Sequence, residues 1–329
     1  MNFFRAFRIH EVDRKIVARF DEITLDELCP GEVVVRVSCS DINYKDALAA
    51  TGTGRILRKY PLVAGIDFAG EVVSSADPRY APGQKVLVTG CGLSETHDGG
   101  YAEYARVKGD WVIPLPPGLG ELDSMKLGTA GFTAALAIHR MEANGQRPEN
   151  GPIVVTGAAG GVGSLAINML AGRGYEVVAV SGKKEAEGYL REIGAARVLL
   201  RQDIDLGSKP MEKALWAGAV DNLGGPVLTW LTRTVDQWGN IASIGLAAGH
   251  ELTTTVMPFI LRGVNLLGIN SVLTPRDLRL EVWQRIATDL RPAQLDRICT
   301  KVVGFDELPA QFDDYIKGRV TGRTVVRIP

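Results

Sequence analysis

A glycine-rich loop between two apolar runs constrains the fold of this chain more than any other feature. The stretch VVTGAAGGVGSLAINMLAGRGYEVVAVSGKK, from Val154 to Lys184, has the pattern of a strand, a loop, a helix and a second strand. Such a unit is typical of a dinucleotide site, where glycines let the backbone approach a pyrophosphate at the helix N-terminus. Many strand-to-helix turns use glycine only to reverse the chain, so the pattern alone is weak evidence.

Two frames of the glycine motif fit this loop. The G-x-G-x-x-A frame that starts at Gly161 matches the consensus literally, but it begins well beyond the predicted strand end near Thr156. We prefer the A-x-G-x-x-G frame that starts at Ala158, because it follows the strand directly. The residues predicted to contact the cofactor are Ala159, Gly160, Gly161 and Val162.

No Asp or Glu ends the second apolar run, where an NAD site usually has a carboxylate for the ribose 2′-hydroxyl. The residues at this place are Ser181, Gly182 and Lys183. Without the carboxylate a 2′-phosphate is not repelled, and a serine and a lysine supply a hydrogen bond and a positive charge. We therefore predict that these three residues bind NADPH. The alternative is that Lys183 and Lys184 only begin a solvated helix.

Apolar runs alternate with helical patterns between residues 125 and 296. Six strands with crossovers between them are typical of a doubly wound parallel sheet, so we predict an α/β chain with a Rossmann domain at 125–296. Val-rich runs separated by Gly, Pro and Asp turns indicate a second, β-rich domain formed by 1–124 and 297–329. The six apolar runs are residues 153–156, 175–180, 197–200, 215–220, 240–244 and 264–269.

Composition limits the classes of function. The 37 basic and 38 acidic residues give a net charge of -1, which argues against a general nucleic-acid or anionic-membrane binder. No run approaches the roughly 18 apolar residues of a membrane span, and the N-terminus lacks the apolar core of a signal peptide. The four scattered cysteines indicate neither a disulfide framework nor a structural zinc site. We expect a protein of a reducing compartment without nucleic-acid or membrane partners.

Several motifs resemble the medium-chain dehydrogenase/reductase superfamily and its zinc-free, quinone-oxidoreductase-like branch. Within that branch the chain is similar to the acrylyl-CoA reductase group. This resemblance implies a GroES-like substrate domain, an acyl-CoA substrate, NADPH, a cytoplasmic location and a homodimer paired through VNLLGI (Val264–Ile269). The motifs are NYKDALA (Asn43–Ala49), GIDFAGEV (Gly65–Val72), GTAGFTA (Gly128–Ala134), GAAGGVG (Gly157–Gly163), VMPFILRGV (Val256–Val264) and GRTVV (Gly322–Val326).

Zinc-dependent members of the same superfamily hold their catalytic metal with Cys, His and Cys. Alignment of the motifs puts these positions at Asn43, Ile66 and Thr129. None of the three is a thiolate, an imidazole or a carboxylate, which are the groups that bind zinc in proteins. We therefore predict that the chain has no metal site.

Reduction of an activated alkene needs a positioned hydride, hydrogen-bond donors for the developing enolate and a proton source. Position in the family makes Asn43 and Tyr44 the candidates for the polar roles, with Tyr44 also at the cofactor and solvent as the alternative proton source. Thr129 and Thr133 are candidates for contacts to phosphate or nicotinamide, or else for close helix packing. The basic stretch GRILRKYP, residues 54–61, is either a CoA phosphate site or a basic surface loop.

Three functions remain open from the sequence. The resemblance favours NADPH-dependent reduction of the C=C bond of acrylyl-CoA to propanoyl-CoA. A quinone or other activated-alkene reductase shares the same scaffold and cofactor. A catalytically silent NADPH-binding sensor or structural protein is the third reading.

Replacing Lys183 by alanine tests the predicted cofactor preference. We expect NADPH binding to weaken by about 1.5–3 kcal/mol, roughly ten- to a hundredfold, because one charge-assisted hydrogen bond is lost. NADH binding should hardly change, since NADH has no 2′-phosphate. Dissociation constants for both cofactors measure the effect, and an equal loss for both would mean that Lys183 only supports the fold.

Overall fold

The computed structural model describes residues 3–329, which form two compact units. Unit 1 comprises the chain up to Thr129 together with Val272–Glu281 and Cys299–Pro329, and unit 2 comprises Ala130–Ser271 and Val282–Ile298. The first elements are β1 (Phe4–Val12), β2 (Lys15–Ile23), β3 (Val33–Asp41), α1 (Tyr44–Thr51), β4 (Leu62–Val63), β5 (Asp67–Ser75), β6 (Lys85–Thr89), β7 (Tyr104–Val107), β8 (Ile113–Pro114) and α2 (Glu121–Ala143). The next are β9 (Ile153–Thr156), α3 (Gly161–Gly172), β10 (Val177–Ser181), α4 (Glu187–Glu192), β11 (Arg197–Leu200), β12 (Trp216–Asp221), α5 (Gly225–Thr234), β13 (Val235–Ser243) and α6 (Met257–Arg262). The last are β14 (Asn265–Gly268), α7 (Arg276–Ala287), α8 (Leu295–Ile298), β15 (Cys299–Gly304), α9 (Phe312–Ile316) and β16 (Arg323–Arg327).

Unit 1 is built on a seven-stranded sheet with the order β15-β16-β3-β5-β6-β8, in which β7 also pairs with β3. Along β3 the alternate residues Val33, Val35 and Val37 are buried, while Arg36 is exposed. This period of two is what a strand with one face on the core requires. The last strand, β16, pairs antiparallel with β3, so the C-terminal segment is part of this sheet. A smaller sheet has the order β2-β1-β4.

Unit 2 contains a parallel sheet of six strands with the order β11-β10-β9-β12-β13-β14. Numbered from β9, this is the order 3-2-1-4-5-6 of a doubly wound dinucleotide-binding sheet. The strands β9 and β10 are buried along their whole length, as expected for parallel strands covered on both faces. The predicted fold class is confirmed.

Each of the six predicted apolar runs overlaps a strand of this sheet, but β13 begins five residues earlier than the pattern indicated. Its first part is the polar sequence VDQWG, in which Asp236 and Trp238 are exposed. An exposed start has no apolar periodicity, so sequence reasoning could not find it. Among the described helices, none is both long enough and apolar enough to cross a membrane.

Candidate active site

The carboxyl edge of the parallel sheet forms a candidate cofactor site within unit 2. The strand order reverses between β9 and β12, and doubly wound sheets bind ligands at the carboxyl ends of their strands beside such a reversal. Thr156, the last residue of β9, donates a hydrogen bond to Asp221 at the end of β12 (Oγ1 to Oδ1, 2.6 Å). Asp221 also accepts the N–H of Gly224 at 2.9 Å. These bonds fix the two loops that follow β9 and β12.

Glycines determine the shape of the loop between β9 and α3. Gly157 has a φ of +59°, in the left-handed region that residues with a side chain rarely adopt. A Cβ on Gly163 would lie 2.5 Å from the carbonyl oxygen of Gly157, so a larger residue would push α3 away from the loop. Helix α3 begins at Gly161 with Gly160 as its N-cap, which leaves the N–H groups of the first turn without helical partners. This geometry fits the frame that starts at Ala158.

The turn after β10 contains the residues predicted to bind a 2′-phosphate. Ser181 is the last residue of β10 and is buried, and its Oγ accepts the N–H of Lys183 at 3.0 Å. This bond fixes the turn through Gly182. Burial lowers the pKa of the Lys183 ammonium group. An anion bound beside this lysine would favour its charged form.

Arg201 belongs to the same edge, and the sequence argument missed it. Leu200 at the end of β11 lies opposite Ser181 in the sheet, so Arg201 begins the neighbouring loop. Its guanidinium nitrogen Nη2 would lie 3.8 Å from a Cβ placed on Gly182. Arg201 also lines an apolar cavity of about 290 Å³ together with Val180 and Trp230. A guanidinium group beside an apolar cavity suits an adenosine with a 2′-phosphate.

Only some of the predicted residues lie at this edge. Thr133 lies on the part of α2 that belongs to unit 2, and its side chain is buried. Asn43, Tyr44 and Thr129 lie in unit 1. They belong to a second candidate site, within unit 1.

The amide of Asn43 is fully engaged in a buried hydrogen-bond network of unit 1. Its Nδ2 donates to Asp41 Oδ1 at 2.7 Å and to Asp67 Oδ2 at 2.9 Å. Its Oδ1 accepts a hydrogen bond from Arg323 Nη1 at 3.0 Å. Both N–H bonds of the amide are therefore used within the protein. The expected role of Asn43 toward the substrate stays a prediction.

Asp67 is the acceptor that connects this network. Its carboxylate accepts the backbone N–H of Thr129 at 2.7 Å and that of Gly90 at 3.3 Å, and it also accepts the hydroxyl of Thr129. Together with Asn43, these donors come from three separate parts of unit 1. Since Thr129 binds Asp67 through both its N–H and its hydroxyl, its position is fixed by this carboxylate.

A buried ion pair lies beside the network. Arg323 and Asp41 are 2.6 Å apart and are both almost completely inaccessible to solvent. Gly128 interrupts α2 with a φ of +52°, and a Cβ there would overlap the Asp41 carboxylate. Only glycine therefore allows α2 to pass so close to this pair.

Tyr44 is the first residue of α1, and its side chain is about half exposed (52%). The helix start is held by Asp46, whose Oδ2 accepts the N–H of Asn43 at 2.8 Å and whose Oδ1 accepts the N–H of Ile66 at 3.0 Å. Complete burial raises the pKa of Asp46 to about 7, against the lowering effect of these two bonds. The position of Tyr44 therefore depends on a buried carboxyl group.

The basic stretch at residues 54–61 is at the surface of unit 1. Arg55, Arg58 and Lys59 are exposed. Arg58 donates its backbone N–H to the carbonyl oxygen of Glu95 at 2.8 Å, and its Nε lies 3.8 Å from the carboxylate of the same residue. Lys45 makes the shorter contact to Glu95, at 2.7 Å. Glu95 thus links the basic stretch to Lys45, the residue that follows Tyr44.

The three positions that align with zinc ligands are all contacted by carboxylates of the chain. Asn43 and Thr129 bind Asp67, and the N–H of Ile66 binds Asp46. Within residues 3–329, no group of three or more His, Cys, Asp and Glu side chains is arranged to hold a metal ion.

Two family models match this chain. The model described as alcohol dehydrogenase GroES-like domain matches residues 29–117, and the one described as zinc-binding dehydrogenase matches residues 161–288. Acrylyl-CoA reductase AcuI from Ruegeria pomeroyi is 46% identical, covering 97% of this chain and 96% of its own. Putative quinone oxidoreductase YhfP from Bacillus subtilis is also 46% identical, covering 99% of each chain.

Solved structures agree with these relatives. The yhdH oxidoreductase from Salmonella enterica, in complex with NADP, is 46% identical and superposes with a TM-score of 0.96, covering 99% of this chain and 100% of its own. Bacillus subtilis yhfP with NAD bound is 45% identical, with a TM-score of 0.97 and complete coverage of both chains. The chain therefore belongs to the medium-chain dehydrogenase/reductase superfamily, in its quinone-oxidoreductase-like branch. The resemblance stated from the motifs is confirmed.

Replacing Asp46 by asparagine tests the buried carboxyl group at the start of α1. Because its pKa rises from 3.8 to about 7 on folding, the folded state gains stability from holding this proton. That gain is complete below about pH 4 and is lost as the pH rises to about 7. The asparagine amide does not titrate, and its oxygen can accept only one of the two N–H groups. The variant should therefore have a lower free energy of unfolding than the unmodified protein, and the difference between the two should narrow with rising pH.

Urea unfolding of both proteins between about pH 5 and about pH 8 measures this margin. A margin that stays constant over the whole range would contradict a raised pKa at Asp46.

Proposed function

We propose that this chain reduces the C=C bond of a short-chain enoyl-CoA with NADPH, converting acrylyl-CoA to propanoyl-CoA. The observation that carries the proposal is its 46% identity to acrylyl-CoA reductase AcuI, which extends over nearly the whole of both chains. The polar part of unit 1 is consistent with it, since an alkene conjugated to a thioester needs hydrogen-bond donors rather than a Lewis acid on an alcohol oxygen.

The choice of NADPH rests on the carboxyl edge of unit 2. Ser181, Lys183 and Arg201 surround one turn, and no carboxylate ends β10. Two cations and a hydroxyl suit a 2′-phosphate, whereas the 2′-hydroxyl of NADH prefers a carboxylate acceptor. The first turn of α3, with Gly161 and Val162, would hold the pyrophosphate. NADPH, when bound, supplies the hydride that reduces C3 of the thioester.

The proposed roles in unit 1 differ between neighbouring residues. Tyr44 has an accessible side chain and is the candidate donor to the thioester oxygen, where negative charge develops during reduction. Asn43 has no N–H left for substrate, so it holds the start of α1 in place. Thr129 holds the kinked part of α2 in place through its hydrogen bonds to Asp67.

A quinone reductase is the second candidate, favoured by the name of the Bacillus subtilis relative. Quinones are activated alkenes that accept a hydride without a thioester, and they need the same cofactor site. A silent NADPH-binding protein is the third reading. The accessible Tyr44 next to an ordered polar network argues for catalysis over this reading.

We also propose a homodimer formed through the edge of the parallel sheet. Strand β14 is the last strand of the sheet, and Leu266 on it is partly exposed. Trp238, Ile260 and Leu261 are also exposed, and Trp238 lies against Gly263, just before β14. An unpaired edge with exposed apolar side chains is a surface that a second copy would cover. Sedimentation that shows only monomer at micromolar concentration would contradict this.

For location, we propose the cytoplasm. All four cysteines are free thiols, which is typical of proteins in a reducing compartment. Fractionation of cells of the source organism tests this, and activity found only outside the cytoplasmic fraction would contradict it.

Oxidation of NADPH with acrylyl-CoA, crotonyl-CoA and benzoquinone tests the proposed reaction. We expect kcat/KM to be highest for acrylyl-CoA, with crotonyl-CoA lower by about tenfold or more, the usual effect of one methyl group in a fitted pocket. EDTA should leave these rates unchanged. Quinone turnover without acrylyl-CoA turnover would establish the second candidate, and NADPH binding without any turnover would establish the third.

A further inference from the structure

Unit 1 contains a cavity of about 680 Å³ that is separate from the buried Asp67 network. Small-molecule sites in proteins usually have volumes of about 300–1,000 Å³, so this cavity is large enough for a nucleotide. Its lining comes from residues 91–96, from Asp110 and Trp111, and from residues 272–279. These three segments all belong to unit 1.

Arg276 at the start of α7 gives the cavity a fixed positive charge. Its Nη1 donates to the carbonyl oxygens of Asp110 at 2.9 Å and Val112 at 2.8 Å, and its Nη2 donates to the hydroxyl of Tyr80 at 2.8 Å. These bonds use three of the five N–H groups of a guanidinium. They fix its plane and leave two N–H groups for a ligand. Arg279, one helical turn further, adds a second, buried guanidinium.

The carboxylates that line the cavity already have cationic partners. Glu95 is paired with Lys45 at 2.7 Å and lies 3.8 Å from Arg58. Asp110 is paired with Arg79 at 2.7 Å. Arg79 also pairs with Asp77, and Asp67 acts on Arg279. With these two carboxylates counted, five cations still surround the cavity against four carboxylates, which suits an anionic ligand.

Trp111 gives the same cavity an aromatic surface. The ring of His97 packs against it edge-to-face with the centroids 4.9 Å apart, and Lys108 Nζ lies 5.2 Å from its ring centroid. These contacts hold the indole in one orientation. A planar group such as a nucleobase stacks on such a ring, and a phosphate next to it would meet Arg276.

The cavity begins close to the polar part of the candidate active site. Lys45, which pairs with Glu95 in the cavity wall, is the residue after Tyr44. Cys91 in the wall follows Gly90, whose N–H donates to Asp67. A ligand with its reactive end at Tyr44 and an extended arm could therefore place its other end in the cavity.

We propose that this cavity binds the nucleotide end of the acyl-CoA substrate, with the adenine on Trp111 and its phosphates at Arg276. The proposal rests on the proposed function, since it assumes a CoA thioester. Exposed Arg58 lies at the Glu95 edge of the cavity and adds to its positive charge. An acyl-CoA has both chemical groups that the cavity offers to bind, a planar base and several phosphates.

Replacing Arg276 by glutamine tests the proposal through two substrates. For acrylyl-CoA we expect KM to rise about 10- to 100-fold, because one charge-assisted hydrogen bond to phosphate is lost. The value of kcat should stay unchanged. For acrylyl-pantetheine, which has no nucleotide, KM and kcat should stay as in the unmodified protein. Arg106→Gln is the control, because Arg106 also donates to a backbone carbonyl, that of Gly31, but does not line the cavity. An equal effect of Arg276→Gln on both substrates, or none on either, would overturn the proposal.

Alkylation of Cys91 in the unmodified protein gives a second test that does not depend on how a variant folds. Burial raises the pKa of this thiol, so the reaction is followed at about pH 9, where more thiolate is present. Adenosine 3′,5′-bisphosphate, the nucleotide end of CoA, should slow alkylation of Cys91 but not of Cys299, which lies outside the cavity. Unchanged alkylation of Cys91 at bisphosphate concentrations far above the KM for acrylyl-CoA would overturn the proposal.

The two proposals fail in different ways. If the unmodified protein has the same KM for acrylyl-CoA and acrylyl-pantetheine, the cavity does not bind the nucleotide, while the proposed reduction stands. If neither thioester is reduced, the proposed function fails. The alkylation experiment then still decides whether the cavity binds the bisphosphate.

Discussion

The buried carboxylate of Asp67 is the interaction on which the polar part of the site depends. It accepts hydrogen bonds from the amide of Asn43, from the N–H and hydroxyl of Thr129 and from the N–H of Gly90. A carboxylate with several donors is stable when buried, whereas without it one N–H of the Asn43 amide would lose its acceptor, at about 1–3 kcal/mol. Through Asn43, this one acceptor also fixes the start of α1 and therefore Tyr44.

Periodicity predicted the parallel sheet because each of its strands contains part of an apolar run, which is buried in β9, β10, β12 and β13. The sequence could not place the exposed beginning of β13 or the interruption of α2 at Gly128. That interruption exists because the backbone passes against the Asp41 carboxylate, a contact between segments distant in the chain. The domain limits predicted from changes in composition along the chain, 1–124 with 297–329 and 125–296, stay a prediction. The two compact units have their limits at other residues.

Local pattern identified the glycine loop and the turn at Ser181, since these residues are neighbours in sequence. Arg201 could not be found in this way, because it comes near Gly182 only through the pairing of β10 with β11. Position in the family marked Asn43 as a polar site residue, but its partners come from β3, β5 and the C-terminal strand β16. Only the three-dimensional structure reveals that both its side-chain N–H groups are used and that Tyr44 is accessible.

In the reaction that we propose, NADPH delivers a hydride to C3 of an enoyl thioester. The most direct test is the reduction of acrylyl-CoA with NADPH that carries deuterium at one or the other face of C4, followed by mass spectrometry of the product. The account predicts that one of the two labelled cofactors transfers a deuterium to C3 of propanoyl-CoA, with solvent hydrogen at C2. Propanoyl-CoA without deuterium from either cofactor, or a product reduced at the thioester carbonyl, would contradict it.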